Sequence, residues 1–294
     1  MVEARYGDPM ETRELRYFVA VAEELHFGRA AQRLAIAQPP LSRAIQQLER
    51  RLGVMLLHRN TRAISLTEAG QVLLVEARAA LEAVEAAQRR TRRAAAERPG
   101  IVLATKGGAS SELLSRLLDA YAGESGAVDV EVVLCGPREQ EGMLRDGRAD
   151  VALLQRPYDA TAGFDTEDLY TEQQVLVLPA GHPLAHRAHI STAEVKVLID
   201  LPMPRWPRPD GSYCDGPGPR VRDHTQLFQL IALGRVCAFV PESLRASLRD
   251  DLVTVRVPDA PAVTTVIAWP PLSRSQAVAD LVRIATGFSS AQSV

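Results

Sequence analysis

The sequence predicts a chain in two parts: a small all-α winged helix-turn-helix with a long helix behind it, and then a larger α/β region. Three observations predict this. Between His26 and Thr67, two short helix-type apolar stripes are parted by a three-residue break and followed by an arginine-bearing loop. From Thr67 to about Ala96 an alanine- and glutamate-rich stretch runs without proline. From Ile101 onward short apolar runs alternate with helical patterns in βαβαβ order, which implies a parallel sheet flanked by helices.

In chain order, residues 1 to 9 carry no periodicity, and Met10 competes with Met1 as the start. Thr12 can cap a helix whose Leu15, Phe18, Val19, Ala22 and Leu25 share one stripe. Gly28 to Leu34 repeats that spacing, with Ala30, Ala31 and Leu34 apolar, before the break Ala35-Ile36-Ala37. Gln38 can cap the next helix, and Pro39 sits in its first turn, where an N–H has no intrahelical acceptor to lose. Stepping 100° per residue puts Leu41, Ala44, Ile45, Leu48 and Leu52 on one face and Pro39, Ser42, Arg43, Gln46 and Arg50 on the other. Gly53 ends that helix, and Leu56 and Leu57 return to the core.

Such a second helix enters the major groove of DNA. Its outward groups have the chemistry for this: Arg43 can donate twice to guanine, Gln46 can pair with adenine, and Ser42 can meet base edges or phosphate. Arg59-Asn60-Thr61-Arg62 reads as the tip of a wing over the backbone or minor groove. The expected DNA contacts are Arg29, Gln38, Pro39, Pro40, Ser42, Arg43, Gln46, Arg50, Arg59, Thr61 and Arg62. The bland alternative, a three-helix domain with a solvated arginine face, is weakened by seven arginines against one acid, Glu49, between His26 and Thr67.

The string AAQRLAIAQPPLSRAIQQLERRLGVMLLHRNTRAISLTEAG resembles the winged helix-turn-helix of LysR-type transcriptional regulators, and AQPPLSR with LTEAG is specific to that family. The AQPPLSR recognition helix is similar to that of the subgroup regulating aromatic-compound degradation. The segments 146–152, 178–185 and 239–241 resemble the LysR effector domain, so the likeness covers nearly the whole chain. It implies two periplasmic-binding-protein-like subdomains with a ligand cleft between them. It also implies homodimers joined through the long helix, and homotetramers built from them, acting on promoter DNA and RNA polymerase. The expected parts are 10–67 for DNA binding, 68–97 for the linker helix and 98–294 for effector binding. Within the last, subdomain I takes about 100–163 and 268–294, and subdomain II about 164–267.

Composition agrees. Residues 1 to 99 carry a formal charge of +4 and the remainder −6, so the basic half is the nucleic-acid half. With no long apolar run and no basic-then-apolar leader, a cytoplasmic location is expected. Cys135, Cys214 and Cys237 lack metal-ligand spacing, and no cofactor is expected. A redox pair Cys214/Cys237 is the alternative signal, and a DNA-binding regulator with no small-molecule effector another. Neither GxxxxGK, GxGxxG, GxSxG nor HExxH occurs, which argues against an enzyme.

In open parallel sheets ligands bind beyond the carboxyl ends of strands. Three turns there point to a small organic acid: Lys106, Gly108, Ala109 and Ser110 after the first strand, Pro137 and Arg138 after the second, Gln155 and Arg156 after the third. Relatives of the aromatic-compound subgroup often carry a hydroxyl residue where this chain has Gly108 and Pro137, so a muconate-like ligand does not carry over. The usual Gly-x-Gly is here Gly234-Arg235-Val236, lacking its second glycine. The Pro/Gly-rich stretch 201–219 offers Trp206 and Tyr213 to stack on an unsaturated ligand, with Arg205 or Arg208 to pair its acid, or is a plain surface loop.

Overall fold

The computed structural model describes residues 10–59, 64–95, 100–107, 110–208 and 212–291, which divide into two units at Arg90/Thr91. The wing-tip residues Asn60, Thr61 and Arg62, the hinge residues 97–99, and Gly108 and Ala109 lie outside the described residues, as does the side chain of Arg59.

In the first unit, α1 (Thr12–Glu24) starts one residue earlier than expected: Glu11 is its N-cap, with the Glu11 N–H donating to Glu14 Oε2 at 3.0 Å. A carboxylate reaching back from the third residue fills the role assigned to Thr12. Leu15, Phe18 and Ala22 are buried, whereas Leu25 turns outward as the left-handed C-cap. The next helix, α2 (Phe27–Arg33), is capped by His26, whose Nδ1 accepts from the Gly28 and Arg29 N–H groups at 3.0 and 3.2 Å.

The N-cap of α3 (Gln38–Leu52) is Ala37, so Gln38 is the first helical residue and not the cap. Pro39 and Pro40 follow it and carry no N–H, which leaves little for a capping side chain to satisfy. Leu41, Ile45 and Leu48 are buried and Ala44 half-buried, but Leu52 has run past the core and is exposed. Glu49, 5% exposed, turns inward instead. Its Oε1 accepts from the Leu56 and Leu57 N–H groups at 3.0 and 3.2 Å, the condition under which a carboxylate tolerates burial.

Gly53 then closes α3 in the left-handed region (φ 70°). Strands β1 (Leu57–Arg59) and β2 (Ile64–Leu66) form an antiparallel pair with Leu57 opposite Leu66. Thr67 caps α4 (Glu68–Ala94): its hydroxyl accepts from Gly70 N–H at 2.9 Å and donates to the Met55 carbonyl at 2.7 Å. Gly70 allows this close seating, because a Cβ there would lie 2.1 Å from the Leu56 carbonyl oxygen.

The second unit begins with the expected βαβαβ order: β3 (Gly100–Lys106), α5 (Ser111–Ala122), β4 (Asp129–Cys135), α6 (Glu139–Arg145) and β5 (Val151–Arg156). Strand β3 lies parallel to both β4 and β5. Next comes β6 (Asp165–Glu172), followed by β7 (Gln174–Pro179), α7 (Thr192–Leu198), α8 (His224–Ala232), β8 (Ala238–Pro241), β9 (Leu252–Arg256), β10 (Val263–Trp269) and α9 (Gln276–Ala291).

One sheet has the order β4-β3-β5-β10-β6, the other β8-β7-β9 with antiparallel pairing throughout. Both β6 and β10 belong to the first sheet, so the subdomain boundaries expected near 164 and 267 fall instead after β6 and before β10. The run 196–199 belongs largely to α7, because the Ser191 hydroxyl and Glu194 carboxylate form a capping box that starts a helix there. Leu117, Tyr121, Leu281 and Ala285 of α5 and α9 cover one face of the first sheet, and Met143 and Leu144 of α6 the other. Among the described residues, no helix is long and apolar enough to cross a membrane.

Candidate nucleic-acid interface and ligand cleft

The first unit sorts its arginines into two groups. Arg33 and Arg78 both pair with Glu23 at 2.6 Å, Arg51 pairs with Glu14, and Arg29 reaches the Glu24 carboxylate at 3.2 Å and the Glu24 carbonyl. Burial alone would raise the Glu23 carboxyl, but the hydrogen bonds from Arg78 and Arg33 outweigh it and hold it below its usual range. These arginines tie α2, α3 and α4 to α1.

The second group faces outward from α3. Arg43 is exposed and has no ion-pair or hydrogen-bond partner among the described residues. Arg50 is exposed with its Nε on the Gln46 carbonyl at 3.3 Å, Gln38, Pro39, Pro40 and Gln46 are exposed, and Ser42 is half-buried beside them. An amide, a hydroxyl and two guanidiniums on one helix face can donate to base edges and phosphates together. Arg29, expected in this set, is engaged by Glu24.

In the second unit a cavity of about 240 Å³ lies between the two sheets. From the first sheet it is lined by Lys106, Pro137, Arg138, Gln155, Tyr158 and Asp159, and from the second by Trp206, His224, Phe239 and Pro241 among others. Four expected residues therefore converge with Trp206: Lys106, Pro137, Arg138 and Gln155 line one cavity with it, as strand-end geometry requires. Gly108 and Ala109 are outside the described residues.

The charge of Lys106 is not free, contrary to expectation. Its Nζ lies 2.7 Å from Asp159 Oδ2, with the two side chains 6% and 0% exposed, and 3.4 Å from Gln155 Oε1. Asp159 Oδ2 also accepts from the Gln155 N–H at 2.7 Å. Left without hydrogen bonds are Gln155 Nε2 and Asp159 Oδ1. Arg138, the left-handed N-cap of α6, is half-buried and makes no hydrogen bond or close ion pair among the described residues, its charge acting only at a distance on Glu141.

The neighbouring groups add no charge. Burial, and then the charge of Lys106, bring His224 down to a pKa of about 4, and its ring lies 5.5 Å from that of Trp206. Burial raises the Tyr158 phenol above its ordinary value, and its hydroxyl meets Gln174.

Three expected residues lie elsewhere. Ser110 is the N-cap residue of α5 but its side chain makes no capping hydrogen bond; its hydroxyl meets Tyr170 Oη at 3.1 Å, and the residue lines a separate cavity of about 670 Å³ with Arg116, Ser243 and Phe288. Arg156 points away from the cleft and pairs with Asp168. The ring of Tyr213 lies under the Arg220 guanidinium at 5.1 Å. Each is claimed by a partner outside the cleft.

The stretch 201–219 is an ordered loop over its described residues. Arg205 is held by its own N–H on the Pro219 carbonyl (2.9 Å) and by Nε on the Gly218 carbonyl (2.6 Å), and Arg208 N–H donates to the Ser212 carbonyl (2.7 Å). Val236, in place of the missing glycine, is fully buried in the core of the second sheet. Cys214 and Cys237 are free thiols, and burial pushes Cys237 up to a pKa of about 11, opposite to what a redox sensor requires. Sequence reasoning singled out the turn that holds Tyr158 but missed Asp159 and His224, neither of which sits in a recognisable motif.

Comparison with known proteins gives the following. Residues 12–71 match the bacterial regulatory helix-turn-helix proteins of the lysR family, and residues 94–288 match the LysR substrate binding domain. The HTH-type transcriptional regulator AlsR of Bacillus subtilis (strain 168) is 35% identical over 266 residues, covering 85% of this chain and 86% of AlsR. The HTH-type transcriptional regulator BenM of Acinetobacter baylyi (strain ATCC 33305 / BD413 / ADP1) is 32% identical over 271 residues, covering 87% and 88%. The crystal structure of CbnR, a LysR family transcriptional regulator, matches 95% of this chain and 99% of its own with a TM-score of 0.59 and 25% identity. CbnR has also been solved with its target DNA.

Proposed function

The chain belongs to the LysR family of bacterial helix-turn-helix regulators, and from that premise we propose that it is a small-molecule sensor as well as a DNA-binding transcriptional regulator. A small organic acid or aromatic-derived carboxylate, bound between the two sheets, shifts how dimers or tetramers of the chain hold a promoter and how RNA polymerase gains access to it. The ligand does this only by binding one arrangement of subunits better than another.

The observation that carries the reading is Arg43, exposed and unpaired on α3 while Arg29, Arg33 and Arg51 are tied to α1. Gln38, Pro39, Pro40, Ser42, Gln46 and Arg50 accompany it toward base edges and phosphates, and Arg59, Thr61 and Arg62 are the proposed contacts of the wing.

A dimer forms through α4, whose Val72 and Val75 are 60% and 65% exposed beside the exposed Leu52 and Val54. A second copy of the helix covers such a stripe. The chain works in the cytoplasm and is not an enzyme; the relatives described above are regulators, and the Lys106–Asp159 charges in the cleft are spent on each other.

Selection of duplexes bound by the full chain from a random pool tests this. Enrichment of a partly palindromic site with two half-sites is expected. Uniform recovery of all sequences would remove base reading by α3.

A further inference from the structure

The Lys106–Asp159 pair decides which acids the cleft can hold. Resting on the reading of that cleft as the effector site, we propose that its ligand is a single-ring monocarboxylate. Arg138 holds the carboxylate, and Asp159 with Gln155 holds a hydroxyl or amine at the far end of the ring, so that dicarboxylates are refused.

Among the described residues, the charges lining the cavity are Lys106, Asp159 and Arg138. The first two form a pair 2.7 Å apart, so one positive charge remains, on Arg138. His224 is neutral near pH 7 and adds nothing. One guanidinium calls for one carboxylate, because a buried charge is tolerated only when paired.

The uncharged end is equally specific. Gln155 Nε2 is a buried donor without an acceptor and Asp159 Oδ1 a buried acceptor without a donor. A hydroxyl or amine on the ligand donates to Asp159, and a hydroxyl can accept from Gln155 as well. A second carboxylate in that place has no proton to donate and meets the Asp159 charge directly.

Topology sets the length. Arg138 follows β4, Gln155 and Asp159 belong to β5 and the turn after it, and β3 runs between them. Two strand spacings put the strand ends that carry these groups ~10 Å apart, which leaves room between them for one substituted ring with a hydrogen bond at each end. A cavity of about 240 Å³, with Trp206, Phe239 and Pro241 in its walls, is smaller than the roughly 300–1,000 Å³ of drug-sized sites and suits one flat ring.

The test is calorimetric titration of the full chain with 4-hydroxybenzoate, 4-aminobenzoate, benzoate and terephthalate. The hydroxy and amino acids are expected to bind at least tenfold more tightly than terephthalate. Arg138→Gln should weaken 4-hydroxybenzoate at least tenfold, and Asp159→Asn should close the gap to terephthalate. Should Asp159→Asn fail to fold, Lys106→Met combined with Asp159→Leu removes both charges, and benzoate should then bind as well as 4-hydroxybenzoate. Terephthalate binding as tightly as 4-hydroxybenzoate to the unaltered chain, or 4-hydroxybenzoate surviving Arg138→Gln, would overturn the inference. If no benzoate binds but an amino acid, sugar phosphate or aliphatic acid does, the inference falls and the sensor reading stands; if none of these binds, both fall.

Discussion

Replacing Arg43 by alanine separates base reading from the other duties arginine performs in this fold. The side chain is exposed and has no ion-pair or hydrogen-bond partner among the described residues, so its loss should change stability by less than ~0.5 kcal/mol. On DNA a bidentate contact to a base contributes about 1–3 kcal/mol of discrimination. A dimer loses it in both half-sites, so specific affinity should fall by about 2–6 kcal/mol, or roughly thirty-fold at the least. Fluorescence anisotropy on the selected duplex and on scrambled duplexes, each over a range of salt, reads both quantities. The expected result is loss on the specific duplex alone, with an unchanged salt slope. An equal loss on every duplex, with the slope reduced by about one per site, would make Arg43 a phosphate contact and refute the reasoning.

Three further outcomes follow from the same structure. Gly70→Ala forces a Cβ toward the Leu56 carbonyl oxygen, 2.1 Å away, and should cost about 1–3 kcal/mol in the first unit's urea transition; an unchanged midpoint would show the contact relaxes freely. Glu49→Ala leaves the Leu56 and Leu57 N–H groups unmet and should cost about 2–6 kcal/mol, while Glu49→Gln keeps an acceptor and costs less; equal costs would contradict the role given to the carboxylate. His224 is held neutral with a pKa of about 4 against an ordinary 6.5, so the unfolded chain takes up its proton first. Its contribution to stability is full above about pH 6.5 and declines toward pH 4 by up to about 3 kcal/mol. His224→Gln should flatten thermal stability over that window, and an unchanged slope would assign it to other groups.

The recognition helix was legible because its apolar spacing follows the 100° period and its burial is local: Leu41, Ile45 and Leu48 needed no knowledge of the rest of the chain. Glu49 was not legible, since a charge on a helix reads as solvated unless one knows that two strand N–H groups come to meet it. Strand β6, Asp165–Glu172, escaped notice for a related reason: it pairs on one edge only, with β10, and keeps its charged residues outward, so it lacks an apolar run. In the cleft, strand-end topology placed Lys106, Arg138 and Gln155 together. Which of them stayed charged depended on Asp159, fifty-three positions from Lys106, and on the turn that brings it back. Ser110, Arg156 and Tyr213 were drawn off by Tyr170, Asp168 and Arg220 in the same way.

Footprinting of the full chain on its selected duplex, with and without saturating cleft ligand, tests most directly whether one chain couples DNA reading to sensing. The account expects the ligand to change the footprint or the DNA affinity, and an affinity change to appear by the same factor in ligand binding when DNA is present. A ligand that fills the cleft, by loss of binding in Arg138→Gln, yet leaves footprint and affinity unaltered would contradict it.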